Sequence, residues 1–372
     1  MRRLWTRLLL VSLALWLTTA CDFVVEDGEV LELDNRLVAR GSAGDDTVAP
    51  LPAVTVRPGG TLIVRDADVF GGDRTGAQLP PATRIQPPAA APGVRVDGGL
   101  VFVERGRLEG GAILVPESAT VPSSNPGAAS FAPTLGQGGA AIDARSAVVS
   151  ITGGGFFGGA GRILVSSTGI LSGPIGLPGD ALVIDQSSVM ISGGGFVGGP
   201  TDRANPQLLA SAGSQSARIQ RSNVLISGGT FFQTVGIAAS QSSILGGSFT
   251  TLLLGAANLP GAGCTEIRGG RFRTLVAQGS DTVYLFGSGF SLPLGPVSFP
   301  EPGFFNPFAP AGSGTTGSVP ITGTLADGTA LLASLISVRT SMDDPDAAVI
   351  LAAPGDPGCP MGTPGTPVPI DP

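Results

Sequence analysis

The sequence predicts an all-β chain that winds into a single-stranded, right-handed parallel β-helix. Two observations carry this prediction: a short phrase of strand residues, glycines and phenylalanine recurs along the chain, and the intervals between its copies share one period. The clearest copies are residues 151–156, 191–196, 226–231 and 267–272. A small unit that repeats along a chain and cannot bury its own apolar face is typical of a stacked solenoid.

Each copy of the phrase combines a strand with a corner. In the first clear copy, Val149 and Ile151 precede the glycines and lie two residues apart, which is the apolar period of a half-buried strand. Phe156 lies three residues after the first glycine, Gly153, and later copies keep that offset. In an uninterrupted strand, Phe156 would point to the opposite side of the sheet from Val149 and Ile151, because it is an odd number of residues away. All three can point inward only if the glycines turn the chain between them.

The intervals reduce to about 20 residues once Pro- and Ala-rich insertions are removed. The insertions are residues 76–94, 116–138 and 199–214, and all follow a glycine corner, so they should project from one edge of the molecule as neighbouring loops. The interval of 40 residues from Gly153 to Gly193 has no such insertion, which predicts a degenerate coil halfway. About nine coils follow, and at ~4.8 Å per coil they stack to about 40 Å. They are centred on Gly71, Gly110, Gly153, Gly173, Gly193, Gly228, Gly246, Gly269 and Gly287.

The phenylalanine of each phrase should occupy the same place in every coil. Five successive coils supply one, so the rings are expected to stack in a single internal column. These residues are Phe196, Phe231, Phe249, Phe272 and Phe290.

The repeats of residues 51–291 resemble the parallel β-helix proteins of bacterial surfaces and of polysaccharide-degrading enzymes such as the pectate lyases. The resemblance concerns architecture alone. It implies a small C-terminal β-cap, for which residues 292–353 supply apolar segments and a turn at Asp327 and Gly328. Residues 354–372 are rich in Pro, Gly and Thr and are predicted to form a disordered tail.

Composition excludes several kinds of chemistry. The chain has 21 basic residues, all arginine, with neither lysine nor histidine, and these absences exclude a histidine base, a Ser-His-Asp triad, histidine metal ligands and a Schiff-base lysine. The net charge is −7, which does not suit nucleic acid as a partner. The sequence predicts no catalytic residue, no metal site and no cofactor.

The N-terminus is typical of an exported protein. Residues 1–20 combine three arginines, an apolar run and small residues before Cys21, as a signal peptide does. The junction resembles the lipobox of bacterial lipoproteins, although Thr18 stands where leucine is usual. That resemblance implies lipidation of Cys21 and anchoring at the outer membrane or the periplasmic face, with the cell surface as a further location. Ordinary cleavage after Ala20 is the alternative. Residues 21–50 are predicted to form the anchor, tether and N-terminal cap.

Two cysteines and a group of arginines remain as candidate functional residues. In an oxidising envelope Cys264 and Cys359 are expected to form a disulfide, with two free thiols as the alternative. Asp143 and Asp185 are expected to cap turns two coils apart. A second candidate group could attract an acidic glycan, with a solvated charged face as the alternative, and it comprises Arg218, Arg221, Arg268, Arg271 and Arg273.

These features predict a cell-envelope lipoprotein that acts as a structural or adhesive β-solenoid, with a polysaccharide or another surface protein as partner. Two alternatives stay open: a β-helix polysaccharide lyase or hydrolase, and a secreted matrix protein without lipid. An enzyme should gather several carboxylates and a basic residue in one groove, whereas a scaffold should carry paired or scattered charges.

Overall fold

The computed structural model describes residues 22–45, 48–75, 89–114, 137–161, 163–165, 171–174, 177–200, 214–256, 262–299, 315–340 and 347–359. Within these ranges the chain contains strands and turns and no helix. A search of them for a helix long and apolar enough to cross a membrane finds none. The prediction of an all-β chain is therefore confirmed for the described residues.

The described residues form 31 strands. The first half of the chain contains β1 (Phe23–Val25), β2 (Val30–Leu33), β3 (Leu37–Arg40), β4 (Val54–Val56), β5 (Thr61–Val64), β6 (Ala67–Phe70), β7 (Arg74–Thr75), β8 (Val94–Asp97), β9 (Leu100–Val103), β10 (Gly106–Glu109), β11 (Ile113–Leu114), β12 (Ile142–Arg145), β13 (Val148–Ile151), β14 (Gly155–Phe157), β15 (Ile163–Val165) and β16 (Leu171–Pro174). The second half contains β17 (Leu182–Asp185), β18 (Ser188–Ile191), β19 (Gly195–Val197), β20 (Gln215–Gln220), β21 (Asn223–Ile226), β22 (Thr230–Ala238), β23 (Gln241–Ile244), β24 (Ser248–Leu254), β25 (Cys264–Ile267), β26 (Arg271–Gln278), β27 (Thr282–Ser288), β28 (Gly295–Pro296), β29 (Thr315–Leu325), β30 (Ala330–Thr340) and β31 (Ala348–Ala352).

Of these strands, 27 belong to one large, mostly parallel sheet. Parallel pairing sorts all of them except β28 and β29 into three columns. Column 1 contains β1, β4, β8, β12, β17, β20, the C-terminal parts of β22, β24 and β26, and β30. Column 2 contains β2, β5, β9, β13, β18, β21, β23, β25, β27 and β31. Column 3 contains β3, β6, β10, β14, β19 and the N-terminal parts of β22, β24 and β26. We call the consecutive strands that supply one member to each column a layer.

Side chains alternate between the interior and the surface along each strand, as the period of two requires. The interior positions are Val, Ile, Leu, Ala and Phe and form one continuous apolar core. The rings of Phe156, Phe196, Phe231 and Phe249 stack along this core with centroids 4.5 to 4.9 Å apart. Phe272 is the register partner of Phe249 and is also buried.

The predicted coil at Gly173 is wrong. Residues 171–174 form β16, which pairs antiparallel with β15 and belongs to neither neighbouring layer. Val149 pairs directly with Val189, so the 40-residue interval separates adjacent layers. The prediction failed because it read the one long interval without Pro-rich sequence as two coils. The predicted centres Gly71 and Gly110 are also not equivalent to Gly153, because Glu109 pairs with Phe157 and both glycines therefore lie after column 3.

This correction also changes the phenylalanine column. With no layer in between, Phe156 becomes the direct partner of Phe196 and extends the column toward the N-terminus. Phe290 is not part of the stack, because β27 ends at Ser288 and its last residues pair antiparallel with β29. Phe290 packs instead at the edge of the core.

A ladder of backbone hydrogen bonds runs along the corner between column 3 and the next strand of column 1. The N–H of Gly139 donates to the carbonyl of Gly111, Gly159 to Gly139, Gly179 to Gly159 and Gly199 to Gly179, at 2.7 to 2.9 Å. A Cβ on Gly159 would lie 1.9 Å from the Gly111 carbonyl oxygen, so only glycine fits. We call these five residues the glycine ladder.

The glycine ladder lies where the insertions leave and rejoin the stack. The flanks of all three predicted insertions are the end of a column 3 strand and the start of a column 1 strand, at β6–β8, β10–β12 and β19–β20. Most residues of the insertions lie outside the described part of the chain.

The C-terminal region extends two columns and then adds antiparallel strands. β30 continues column 1 and β31 continues column 2, while β29 pairs antiparallel with β30 and β28 with β31. After β31, Cys359 is bonded to Cys264 of column 2. Residues 354–359, which were predicted to be disordered, are therefore held beside column 2. Residues 360–372 lie outside the described part of the chain.

Candidate ligand-binding face

The structure divides the arginine group that the sequence singled out. Arg218 lies on column 1 with its Nε 3.1 Å from an Asp180 carboxylate oxygen. Arg221 follows the same strand and makes two hydrogen bonds to the carboxylate of Asp185. Both guanidinium groups are therefore occupied by acids of their own face.

Arg268 is also occupied, but on column 2. Its guanidinium lies 3.1 Å from a Glu266 carboxylate oxygen and 3.8 Å above the centre of the Phe286 ring. It further donates to the carbonyl of Pro354. Arg268 thus holds the segment that leads to Cys359 and is not available to a ligand.

Arg271 and Arg273 remain. They are alternate residues of β26, and both are exposed on the outer side of column 3. Within the part of the chain that the structure describes, neither has a carboxylate within ion-pair distance. Two arginines without an ion pair therefore lie two residues apart on one strand.

These two arginines line a shallow pocket of about 340 Å³. Ser248 of the preceding layer forms one wall, and Leu332 and Ser334 of β30 form the other. Ser334 is buried and donates its hydroxyl to the Phe272 carbonyl at 2.8 Å, which fixes the position of its oxygen. The pocket therefore offers two guanidinium groups, hydroxyl oxygens and one exposed apolar side chain.

The pocket is one end of a longer surface, the column 3 face. The outward positions in register along six layers are Arg107, Gly155, Gly195, Thr230, Ser248 and Arg271. Five spacings of ~4.8 Å make this row about 24 Å long. A Cβ on Gly195 would meet nothing nearer than the edge of the Phe232 ring at 4.0 Å, whereas a Cβ on Gly155 would lie 3.0 Å from the Phe157 ring, so the row has a shallow trough at Gly195.

Aromatic rings flank the trough. Phe157 lies in the layer of Gly155, with the guanidinium of Arg107 4.9 Å from its ring centre. Phe232 lies in the layer of Thr230, and 58% of it is exposed. Phe157 is half-buried, so Phe232 is the ring of this face that is best placed to stack against a ring-shaped or apolar ligand face.

A second charged patch lies on column 1, and its charges are balanced. Asp143 stands in register with Arg95 of the layer before, and its own strand neighbour Arg145 is in register with Asp97 and Asp185. Asp143 and Asp185 are therefore in adjacent layers, not two coils apart as predicted, because no layer exists at residue 173.

Burial affects the pKa values of two carboxyl groups on this side of column 1, those of Asp143 and Asp180. Burial raises the pKa of the Asp143 carboxyl above its usual value, and the positive charges of Arg145 and Arg95 oppose that rise. Burial likewise raises the pKa of Asp180, against the opposing charge of Arg218 and the hydrogen bond from the Gln215 N–H. Each acid thus has a cationic neighbour, as expected of a register-fixing network.

No group of three His, Cys, Asp or Glu side chains in the described ranges is arranged to hold a metal ion. Cys21, the predicted lipidation site, and the signal peptide before it lie outside the described residues.

The chain matches no known family model, no curated protein and no solved structure. The proposed function therefore rests on the chemistry of the residues and on their geometry.

Sequence reasoning identified Arg271 and Arg273 but missed their surroundings. Leu332 and Ser334 line the pocket from β30, about 60 residues later in the chain. No local sequence pattern predicts that β30 pairs beside β26. Phe157 and Phe232 could have been found, because each directly follows the buried phenylalanine of its phrase and must point outward.

Proposed function

We propose that this protein is an exported, lipid-anchored parallel β-helix that serves as a structural or adhesive element of the cell envelope and binds an acidic polysaccharide on its column 3 face. The three columns of parallel strands and the stacked rings support the β-helix. The unpaired Arg271 and Arg273 are the observation that carries the binding proposal. Guanidinium groups pair with carboxylate or sulfate through two parallel hydrogen bonds, which gives both strength and orientation.

The rest of the column 3 face suits an extended chain of sugars. The row from Arg107 to Arg271 runs in register through six layers, its floor is open at Gly195, and no acidic side chain interrupts it between Gly155 and Ser248. The apolar faces of sugar rings would stack on Phe157 and Phe232, while an acidic group would enter the pocket. Because the remainder of the mature chain is acidic, attraction for a polyanion is confined to this end of the face.

Removing both guanidinium groups should weaken binding of polygalacturonate at least tenfold. A hydrogen bond to a charged group contributes about 1.5 to 3 kcal/mol, and a tenfold change corresponds to about 1.4 kcal/mol. The variant is Arg271→Gln/Arg273→Gln, and isothermal titration calorimetry with polygalacturonate and dextran sulfate measures the affinity. Neutral dextran serves as the negative polymer.

The matched control is Arg57→Gln/Arg95→Gln, which changes the net charge equally on other parts of the surface. We expect it to keep the parent affinity within about twofold, because general electrostatics contributes little at moderate salt. Equal loss in both variants, or no binding of either acidic polymer by the parent protein, would refute the proposed site. If incubation with the protein shortened either acidic polymer or created new chain ends in it, the lyase or hydrolase alternative would be favoured.

The membrane anchor has its own test. If Cys21 carries lipid, cells given labelled palmitate should label the protein, and Cys21→Ala should abolish the label and release the protein from membranes. Label that survives Cys21→Ala would exclude lipidation at this residue. A parent protein found unlabelled in the medium would favour the secreted matrix protein.

A further inference from the structure

The column 3 face ends at the pocket of Arg271 and Arg273. Among the described residues column 3 has no strand after β26, because β30 continues column 1 instead. The hairpin of β29 and β30 closes this end of the column, and Asp327 in its turn accepts a hydrogen bond from the N–H of Gly270 at 3.2 Å. β30 therefore stands at the end of the face, beside the last two outward arginines.

Leu332 is the most prominent side chain at this boundary. It lines the pocket from β30 and is 85% exposed, so it projects from the strand. The pocket volume of about 340 Å³ is at the small end of the ~300 to 1,000 Å³ range of ligand sites and suits about one or two sugar rings. A sugar chain that lies along the face therefore reaches Leu332 with its last ring.

The pocket also differs in charge from the rest of the face. The row from Gly155 to Ser248 is uncharged, and so is Phe232 beside it. At the other end of the row, Arg107 lies 2.6 Å from a Glu109 carboxylate oxygen. The whole chain has a net charge of −7. A ligand with carboxylates along its length would place most of them beside uncharged groups of an acidic protein, whereas a ligand with one carboxylate at its end would not.

We infer that the pocket is a terminal subsite, which binds a uronic acid at the end of an otherwise uncharged sugar chain. This inference rests on the proposed polysaccharide binding and narrows its ligand. The terminal carboxylate pairs with the guanidinium groups of Arg271 and Arg273. The neutral rings that follow pass over Ser248, and one of them stacks on Phe232, two spacings of ~4.8 Å from the layer of the arginines.

Leu332 makes this subsite terminal. A uronic acid within a chain needs space for a sugar ring on each of its two sides, and on the side of β30 the Leu332 side chain takes that space. Leu332 therefore determines which position of the acid is accepted, although it carries no charge.

Three synthetic glucose hexasaccharides, each with one glucose replaced by glucuronate, test the position of the acid at constant length and charge. The glucuronate is at the non-reducing end, at the reducing end or at the third position, and isothermal titration calorimetry measures the affinity. We expect at least one terminal hexasaccharide to bind at least tenfold more tightly than the internal one. Arg271→Gln/Arg273→Gln should remove this difference.

Shortening Leu332 tests the end wall. Leu332→Ala should bring the affinity for the internal hexasaccharide to within about threefold of the terminal one, because the end of the face is then open. The matched control is Leu294→Ala, since Leu294 is 57% exposed and does not line the pocket. Melting curves check that both variants are folded. A preference for the terminal acid that is unchanged in Leu332→Ala would overturn the assignment of Leu332.

The same titrations separate this inference from the proposed function. Equal or tighter binding of the internal hexasaccharide, with loss in Arg271→Gln/Arg273→Gln, would overturn the terminal subsite and leave polysaccharide binding intact. Binding of polygalacturonate without binding of any hexasaccharide would also overturn it, because the site would then need several acidic groups. If neither the hexasaccharides nor polygalacturonate nor dextran sulfate bound, polysaccharide binding itself would be refuted, and the terminal subsite with it.

Discussion

Replacing Phe231 with alanine is expected to lower the free energy of unfolding by about 3 to 5 kcal/mol, the usual cost of removing a buried phenylalanine. The ring is 1% exposed and is stacked between Phe196 and Phe249, with centroids 4.5 and 4.9 Å away. Each lost aromatic contact adds about 0.5 to 1.5 kcal/mol. Urea denaturation followed by circular dichroism measures the change, because both tryptophans of the chain lie within residues 1–20, far from Phe231 in the sequence.

The adjacent residue supplies the control. Phe232 is the next side chain of β22, points to the opposite side of the sheet and is 58% exposed. Phe232→Ala should change stability by no more than about 0.5 kcal/mol. Equal effects of the two substitutions would mean that Phe231 is not in an interior column.

Replacing Gly159 with alanine should destabilise the protein by roughly 3 kcal/mol, although it adds a single methyl group. The new Cβ would lie 1.9 Å from the Gly111 carbonyl oxygen, and neither backbone can move without lengthening hydrogen bonds of the glycine ladder. Overpacking costs about 1 to 3 kcal/mol, and each of the two strained hydrogen bonds contributes about 1 kcal/mol.

Gly195→Ala is the matched control. Gly195 lies in column 3 one layer further on, where a Cβ would meet nothing closer than the edge of Phe232 at 4.0 Å. Alanine there should be neutral or stabilise by a few tenths of a kcal/mol, because it restricts the unfolded chain. Thermal melts of both variants suffice, and a Gly159→Ala protein as stable as the parent would contradict the ladder.

The sequence could predict the strands and much of their register. The phrase repeats place Phe196 opposite Phe231 and Phe231 opposite Phe249, because identical units stack with identical side chains in register. In the first half of the chain the strand pairing places Asp68 opposite Arg107. Repetition makes long-range contacts readable from local sequence.

Prediction failed where the repeat is interrupted. The antiparallel pair of β15 and β16 adds length without adding a layer, and no property of Leu171 to Pro174 distinguishes it from a degenerate coil. The glycine ladder was also missed, although paired glycines after Phe157 and Val197 were a visible signal. The predicted insertion 199–214 included Gly199, whereas the lack of a side chain at Gly159 and Gly199 is what lets neighbouring layers approach.

The candidate site was only partly predictable for a different reason. Sequence grouping placed five arginines together, but the strands carry them to three columns, and local acids occupy Arg218, Arg221 and Arg268. Whether an arginine has an ion-pair partner depends on the residues in the adjacent layer, and the strand pairing determines which residues those are.

Contacts between phenylalanine rings provide the most direct measurement of the stacked arrangement. In protein with isotopically labelled phenylalanine, nuclear Overhauser effects should connect Phe156 to Phe196, Phe196 to Phe231 and Phe231 to Phe249, whose ring centroids are 4.5 to 4.9 Å apart. Variants that lack one ring assign each contact. Rings without mutual contacts and open to solvent would contradict the three columns and every proposal that depends on them.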